Sequence, residues 1–364
     1  MNFFSEQLSE LMRMYLPMER SASMSSAFDA WQSTAFQNVS LDAAGLVALA
    51  DLGTIARRTA LTGTSAFLDV LVLAPGLHRQ QNAPELNKGE YPACAAMTSG
   101  YVFRVENPAT VLFMQKVGKT GHLTTLRVSS LEESGSRRSW VLSKIVGPRT
   151  STIGAAVAYT ATVLLTVMVL FCVIALRDWW GVAVLGLLIF SRLLNVIVIR
   201  RRSVPGWFGA KEPGVKGDLL ILLSQDRWIR LQGDVDDLKA ATSGQWLQEP
   251  TFFQSSLVAF ATLLVYLDAA LAGNASQTSK LLLLILLFGS VALLGIANEC
   301  TRVLQMHGRR IEVIGLPKAY PRRLALAEEL IIKTGRKDWA VRLGMVQPDH
   351  NIKSEKELDG MATM

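Results

Sequence analysis

The stretch that decides the fold is residues 153–199, IGAAVAYTATVLLTVMVLFCVIALRDWWGVAVLGLLIFSRLLNVIVI. The pair Arg177-Asp178 divides it into two apolar runs, Ile153–Leu176 and Trp179–Ile199. A helix needs about 20 apolar residues to cross a hydrocarbon core of roughly 30 Å. The two runs therefore predict two membrane-spanning helices, and so short a link between them predicts an antiparallel hairpin. Trp179 and Trp180 are typical of an aromatic anchor at headgroup level.

Two further apolar runs, Ser256–Ala272 and Leu281–Ala297, are joined by the polar sequence GNASQTSK. They predict a second hairpin. The predicted fold class is therefore membrane α-helical, with four transmembrane helices in two antiparallel hairpins and an α+β cytoplasmic body. The lipid bilayer is the first expected partner, and the sequence leaves open whether the protein is a homo-oligomer.

Composition and charge agree with this fold class. Half of the residues (50%) are hydrophobic and only 18% are charged, which is unusual for a soluble chain. The net charge of +7 is spread along the chain, which argues against nucleic acid as a partner because nucleic-acid binding concentrates Lys and Arg on one face. The spread thus suits a membrane protein whose loops lie mainly on one side.

The cations that flank the four runs predict the orientation. Ten lie on the side of the long segments, against Arg177 and Lys280 in the short opposite loops. The ten are Arg137, Arg138, Lys144, Arg149, Arg200, Arg201, Arg202, Arg302, Arg309 and Arg310. The positive-inside rule then makes both termini cytoplasmic, and we expect a multi-pass protein of the endoplasmic reticulum or another internal membrane.

Asn274-Ala275-Ser276 is a glycosylation sequon in a loop that this topology places on the lumenal side. The alternative is a chance tripeptide too close to the bilayer to be modified. The three cysteines form no CxxC pair and have no adjacent histidine, so we expect neither a structural metal nor a disulfide framework, and no cofactor. The first residues contain Glu6 and Glu10 and lack the long apolar core of a signal peptide.

The predicted organisation has five parts: residues 1–150, 151–200, 201–254, 255–300 and 301–364. The first is a cytoplasmic α+β region, the second and fourth are the hairpins, and the third and fifth are a cytoplasmic loop and a cytoplasmic tail region. In the first part, Phe4 to Tyr15 predicts an amphipathic helix that lies on the bilayer or packs on the domain. Residues 40–75 predict helices, and residues 101–146 predict strands.

The loop and the tail region have a similar pattern of strand followed by helix. In the loop, residues 218–224 and 227–232 predict two strands, and residues 234–241 predict a helix with acids at its N-terminus. In the tail region, residues 310–314 predict a strand, and Pro321 opens a helix that Gly335 ends. Disorder is expected from residue 349 onward. Neither segment is large enough for its own core, so we expect one cytoplasmic body built from all three soluble segments.

Ionisable and amide side chains inside the apolar runs are the candidate functional residues, because burying them in hydrocarbon costs several kcal/mol unless they are paired or hydrated. Arg192 and Asn195 lie one turn apart, and Asn298 and Glu299 lie at the end of the fourth run. One interpretation has Arg192 reach the interface or pair with Glu299; the other has all four residues line a polar site.

Asp268 lies near the opposite end of the third run. The catalytic candidates are therefore Arg192, Asp268 and Glu299. Asp268 and Glu299 are about 20 Å apart in depth, which argues against a shared proton, although each remains a candidate for a single general acid.

Three apparent motifs fail on closer inspection. Val117-Gly118-Lys119-Thr120 resembles the end of a phosphate-binding loop, but Phe113 occupies the position of its first glycine. Asn107-Pro108-Ala109 lies outside the apolar runs and indicates a turn. The acidic residues 234–237 lack the other ligands of a calcium loop and are better explained as a helix start.

Residues 217–247 and 307–345 (GDLLILLSQDRWIRLQGDVDDLKAATSGQWL and HGRRIEVIGLPKAY…AEELIIKTGRKDWAVRLGM) resemble a family of filamentous-fungal multi-span membrane proteins that includes paxilline synthesis protein A. Some members belong to indole-diterpene biosynthetic clusters. The resemblance covers about the C-terminal 60% of the chain. It implies a role in biosynthesis, with other membrane-bound biosynthetic enzymes as partners. It assigns no catalytic residue to this chain.

The leading hypothesis is an accessory or scaffold protein of fungal secondary-metabolite biosynthesis, of the indole-diterpene type. The alternative is a membrane-embedded terpene cyclase or isomerase that acts on a lipophilic intermediate. A transporter is the third hypothesis, although four spans would need to oligomerise to enclose a pathway and the sequence has no inverted repeat.

Overall fold

The computed structural model describes residue 41 and residues 44–130, 152–207 and 209–348. The predicted helix over residues 4–15 and the predicted disordered tail lie outside these ranges. The described α-helices are α1 (Thr54–Thr62), α2 (Pro108–Val117), α3 (Ile153–Ala175), α4 (Trp179–Arg202), α5 (Val235–Thr242), α6 (Phe252–Leu271), α7 (Gln277–Cys300), α8 (Arg323–Thr334) and α9 (Asp338–Arg342). The 3₁₀ helices are Ala44–Leu49, Phe67–Leu71, Leu77–Asn87 and Ala272–Asn274.

Four helices, α3, α4, α6 and α7, are long and apolar enough to cross a membrane, as the sequence predicted. The most extensive packing joins α3 to α7 and α4 to α6. The connection between α3 and α4 contacts the connection between α6 and α7, where the Ser276 N–H donates to the Asp178 carboxylate at 2.8 Å. We call this end of the helices the turn end. At the opposite end, the Thr152 hydroxyl donates to the Cys300 carbonyl at 2.8 Å.

A mixed sheet of seven strands lies beyond that opposite end, which we call the sheet end. The strands are β1 (Ala93–Ala96), β2 (Val102–Arg104), β3 (His122–Ser130), β4 (Lys216–Leu223), β5 (Arg227–Asp234), β6 (Val303–Met306) and β7 (Arg309–Ala319). Their order is β2-β1-β4-β5-β3-β7-β6, and only β3 and β5 pair in parallel among these neighbours. Strands that precede α3, follow α4 and follow α7 thus share one sheet.

Both faces of the sheet are covered, which follows from the alternation of side chains along a strand. In β4, Leu219 and Ile221 join the cluster that includes α2 and α5, whereas Leu220 joins the cluster under α8 and α9. The predicted strands and helix of residues 218–241 are confirmed by β4, β5 and α5. Gly335 ends α8 in the left-handed conformation, with φ of 67°, also as predicted.

The strand prediction for residues 101–146 is wrong in one stretch, and its part over residues 131–146 lies outside the described residues. Residues 108–117 form α2, between the confirmed strands β2 and β3. The Asn107 side chain accepts the Thr110 N–H at 3.2 Å, and Pro108 occupies the first helical position, where its missing N–H costs nothing. With Phe113 and Met114 buried against the sheet, the cap and the packing override the strand propensity of the β-branched residues.

Residues 44–87 pack among the four long helices. One core cluster unites Leu73 and Leu77 of this segment with Leu188 of α4, Val265 of α6 and Leu286 of α7. The sequence predicted helices here as part of a separate cytoplasmic region. The structure gives 3₁₀ helices and α1 here, and this segment, which we call the inserted segment, packs against α4, α6 and α7 and less extensively against α3.

Leu41 and Thr54 contact opposite ends of α7. The Leu41 N–H donates to the Gln277 side chain at 3.4 Å, at the turn end. The Thr54 carbonyl accepts the Asn298 side-chain N–H at 3.0 Å, at the sheet end. Gln277 and Asn298 are about 30 Å apart at 1.5 Å per residue. Gly45 permits the close approach near the start, since a Cβ there would lie 2.5 Å from the Ala272 Cβ.

Candidate functional site

A buried polar cluster connects the inserted segment with α3 and α4. We call it the Asp69 cluster and define it as Arg58, Asp69, Gln80, Tyr159 and Arg192. Arg192 is 1% exposed. Its Nε donates to the Asp69 carbonyl at 2.9 Å, and its Nη1 donates to the Gln80 side-chain oxygen. The guanidinium is therefore held by the inserted segment and does not extend to either end of its helix.

Asp69 is the carboxylate of this cluster. One of its carboxylate oxygens accepts the Tyr159 hydroxyl at 2.7 Å, and the other accepts the Ala66 N–H at 2.8 Å. Arg58 lies over the Tyr159 ring, 5.2 Å from the guanidinium carbon to the ring centroid. Burial lowers the pKa of the Arg58 guanidinium, and the nearby Asp69 charge partly offsets this effect. One buried carboxylate thus lies between two buried guanidinium groups.

Amides complete the connection. The Gln80 side chain donates to the Thr59 hydroxyl at 2.9 Å and to the Ser65 hydroxyl at 2.7 Å. Next to it, the Gln81 side chain donates to the Asn195 side-chain oxygen at 3.2 Å. Because these contacts satisfy the groups that they join, the arrangement acts as a rigid cross-link between distant parts of the chain.

The structure does not bring together the four residues predicted to line one polar site. Arg192 and Asn195 contact the inserted segment, whereas Asn298 and Glu299 lie at the sheet end. The predicted pairing of Arg192 with Glu299 is wrong: Glu299 pairs with Arg57 at 3.3 Å, and Arg192 is engaged by Asp69 and Gln80. The inserted segment separates the two groups, a feature that the sequence pattern did not reveal.

Asp268 is in a different situation. It is completely buried on α6, one turn from the turn end, with 0% exposure. Neither of its carboxylate oxygens has a hydrogen-bond partner among the described residues. It stays a candidate for a single acid. Asn274, the predicted glycosylation site, is exposed in the 3₁₀ helix at the turn end.

A cleft of about 810 Å³ opens at the sheet end, and we call it the basic cleft. Its lining combines the start of α1, the end of α2, the end of the 3₁₀ helix Leu77–Asn87 and the turn between β4 and β5. The lining residues are Gly53, Thr54, Arg57, Leu86, Lys88, Glu90, Leu112, Gln115, Lys116, Ser224, Gln225 and Arg227. Four of them are cations and one is a carboxylate.

Lys116 lies where the basic cleft meets the end of α7. Its ammonium donates to the carbonyls of Asn298, Glu299 and Thr301, the last two at 3.1 Å and 3.0 Å. It thereby satisfies terminal carbonyls of the long helix. Burial lowers the pKa of Lys116 to about 8, Glu299 opposes this effect, and the charges of Arg57 and Arg302 reinforce it.

Sequence reasoning missed Asp69, Gln80 and Lys116. A signal for Asp69 was present: Arg58 and Asp69 are opposite charges within a stretch that is otherwise mostly apolar, and charges in such a stretch require partners. Gln80 and Lys116 occur in ordinary polar surroundings, so no local pattern distinguishes them.

Across the described ranges, no group of three His, Cys, Asp or Glu residues could hold a metal ion. Cys94, Cys172 and Cys300 are free thiols. Comparison of the chain with protein-family models, with curated proteins and with solved structures finds no match. The resemblance to the fungal membrane-protein family therefore stays a prediction from the quoted residues.

Proposed function

We propose that the chain is a multi-pass membrane protein whose four long helices cross a bilayer as two antiparallel hairpins. The observation that carries this proposal is the outward direction of large apolar side chains on all four helices. Phe171 is 71% exposed, Leu263 62% and Phe288 62%. In water such a surface would be strongly unfavourable, whereas lipid solvates it and the helices satisfy their own backbone groups.

In this proposal, the sheet body faces the cytoplasm from the endoplasmic reticulum or another internal membrane. The cations Arg200, Arg201 and Arg202 at the end of α4 support this orientation. Trp179 and Trp180 at the turn end are exposed by 73% and 50%, as expected of side chains in the lumenal headgroup layer. Asn274 then faces the lumen, and loss of an endoglycosidase-sensitive mobility shift in Asn274→Gln tests its glycosylation.

The contacts of Leu41 and Thr54 with opposite ends of α7 support a lumenal entry of the N-terminal segment, which differs from the cytoplasmic N-terminus that flanking charge predicts. A chain that passes from Gln277 to Asn298 along α7 traverses the same thickness as the helix. Acceptor-site tags on both ends of the full chain test this in microsomes. We expect glycosylation of the N-terminal tag and not of the C-terminal tag; an N-terminal tag that protease removes from intact microsomes would exclude the crossing.

We further propose that the protein is an accessory or scaffold protein of fungal secondary-metabolite biosynthesis, of the indole-diterpene type, with other membrane-bound biosynthetic enzymes as partners. The resemblance of residues 217–247 and 307–345 supports the pathway. The Asp69 cluster supports the scaffold role. Its polar side chains form hydrogen bonds with one another between the long helices and have few hydrogen-bond donors left for a substrate. A rigid platform on a membrane is what such a scaffold requires.

Gene deletion with metabolite profiling tests this role. We expect loss of the end product and accumulation of one lipophilic intermediate, with recovery when the wild-type chain or Asp268→Asn is supplied. A profile unchanged by the deletion would refute the biosynthetic role.

A membrane-embedded cyclase or isomerase is the second candidate, and the unpartnered carboxylate of Asp268 favours it. A buried carboxyl group without hydrogen bonds is suited to protonate a lipophilic substrate. If Asp268→Asn is inserted and stable yet fails to restore the product, the enzyme replaces the scaffold as the better proposal. Glu299→Gln is the matched control, because Glu299 is an exposed carboxylate that pairs with Arg57.

A further inference from the structure

We propose that the basic cleft is a binding site for a phosphate group, carried by a lipid headgroup or by a soluble phosphorylated compound. Its position at the sheet end, beside the membrane surface, rests on the proposed membrane topology. The binding itself rests on charge, on the uncapped first turn of α1 and on shape, which are independent of the biosynthetic role.

The charges of the cleft are incompletely compensated. Lys116 and Arg227 donate only to neutral oxygens: Lys116 to three carbonyls, and Arg227 to the carbonyls of Gln115 and Ser224 and to the Ser224 hydroxyl. Glu90, the carboxylate in the lining, accepts the Ser224 N–H at 2.6 Å and the Gln115 side chain at 2.5 Å. Arg57 pairs with Glu299 at 3.3 Å, so the four cations of the lining face two carboxylates, Glu90 and Glu299, and an anion in the cleft would still meet excess positive charge.

The first turn of α1 borders the cleft and carries unpaired polar atoms. The Thr54 hydroxyl and the Arg57 Nε have no hydrogen-bond partner among the described residues, and because both atoms are buried, a ligand would reach them only after a side-chain rotation. The N-cap residue is Gly53, which supplies no side-chain cap to the first turn. The positive end of the helix dipole thus faces the cleft together with Arg57, an arrangement that suits phosphate oxygens.

Lys116 is the titratable cation at the edge of the cleft. Its pKa is lowered to about 8 by burial and further by the charges of Arg57 and Arg302, while Glu299 acts in the opposite direction. A bound phosphate would favour the charged ammonium and raise this pKa again.

The size and the walls of the cleft fit a compound with both a charged and an apolar part. About 810 Å³ lies within the range of small-molecule sites, roughly 300–1,000 Å³. Leu86 and Leu112 provide an apolar wall beside the cations. The cleft can therefore hold a phosphate together with part of an acyl or other hydrocarbon chain.

The test uses the full chain in nanodiscs of zwitterionic phosphatidylcholine. One arm titrates inorganic pyrophosphate by calorimetry, and the other measures retention of phosphatidic acid against phosphatidylcholine. Pyrophosphate binding identifies a soluble phosphorylated ligand, and binding of phosphatidic acid alone identifies a headgroup. Binding in neither arm overturns the proposal.

Variants distinguish the cleft from general surface charge. Arg57→Gln should weaken binding about tenfold, the loss expected for one charge-assisted contact of about 1.4 kcal/mol, and Lys88→Gln about threefold. Lys211→Gln removes one exposed positive charge elsewhere and should change binding less than about twofold. Equal weakening in all three variants would overturn the assignment to the cleft. Thermal unfolding of each variant verifies that it is folded.

Acylation of Lys116 at pH 8 gives a second readout, followed by mass spectrometry with the exposed Lys211 as internal reference. The probe that binds should slow the acylation of Lys116 and leave that of Lys211 unchanged. Unchanged Lys116 reactivity at saturating probe would place the ligand elsewhere. Because no metabolite is measured, failure here leaves the scaffold role to be decided by the deletion experiment.

Discussion

Arg192 and Asp268 are buried to the same extent in two helices that pack against each other, α4 and α6, yet their surroundings are opposite. Arg192 meets Asp69 and Gln80, whereas both carboxylate oxygens of Asp268 lack a partner among the described residues. A buried charge is costly unless hydrogen bonds and an opposite charge compensate it. One kind of sequence signal, a charge in an apolar run, thus corresponds to a structural cross-link in one place and to an uncompensated group in the other.

The largest effect is expected from Arg192→Met. The substitution leaves the Asp69 carbonyl and the Gln80 oxygen without their donor and leaves the Asp69 carboxylate with less opposite charge. We expect the free energy of unfolding to fall by about 3 kcal/mol, measured by denaturation in detergent micelles. Arg201→Met, at an exposed position of the same helix, should change it by no more than about 0.5 kcal/mol. Equal losses in both variants would mean that the cluster adds nothing to stability.

Tyr159→Phe removes a single hydrogen bond from the same cluster. Because the acceptor is the Asp69 carboxylate, we expect a loss of about 1.5 kcal/mol in the free energy of unfolding. Tyr266→Phe, an exposed tyrosine on α6, is the control and should have little effect. In the double variant with Arg192→Met, the two losses should not add, since both substitutions act on Asp69. Strict additivity would argue against a connected network.

The smallest effect, of opposite sign, is expected from Asp268→Asn. This nearly isosteric change removes a buried ionisable group that no hydrogen bond supports, so the free energy of unfolding should stay the same or rise by up to about 1 kcal/mol. Asp69→Asn makes the same chemical change in a carboxylate with partners and should lower stability. If both variants lose stability equally, Asp268 has a compensating partner and the contrast between the two sites fails.

The four long helices could be predicted because length and apolar character alone decide whether a helix can span a bilayer. The Asp69 cluster could not be predicted, because its contacts join residues far apart in the chain. Tyr159 and Asp69 are 90 positions apart, and Arg192 and Gln80 are 112 apart. A single sequence indicates that Arg192 needs a partner, but it does not indicate which of many polar residues supplies it.

The shorter elements of the fold were predicted only in part. The strands β4 and β5 were predictable from alternation and a tight turn, whereas α2 was missed because the strand propensity of its β-branched residues is opposed by the Asn107 cap and by burial. The inserted segment packs against α4, α6 and α7. Hydrophobic periodicity does not predict that this segment packs among the long helices.

The contact of Leu41 with the start of α7 also restricts the order in which the protein can fold during biosynthesis. The partner of Leu41, Gln277, follows 236 positions later in the chain, so the ribosome completes most of the protein before this contact can form. The 3₁₀ helix Ala44–Leu49 has six residues and leaves terminal backbone groups that lipid cannot satisfy, so this part of the chain cannot enter a bilayer unaided. If the long helices cross a bilayer, it must wait until α6 and α7 provide a groove. We therefore expect chains whose synthesis ends before α7 to lack this groove and to be recognised as incomplete by cellular quality control.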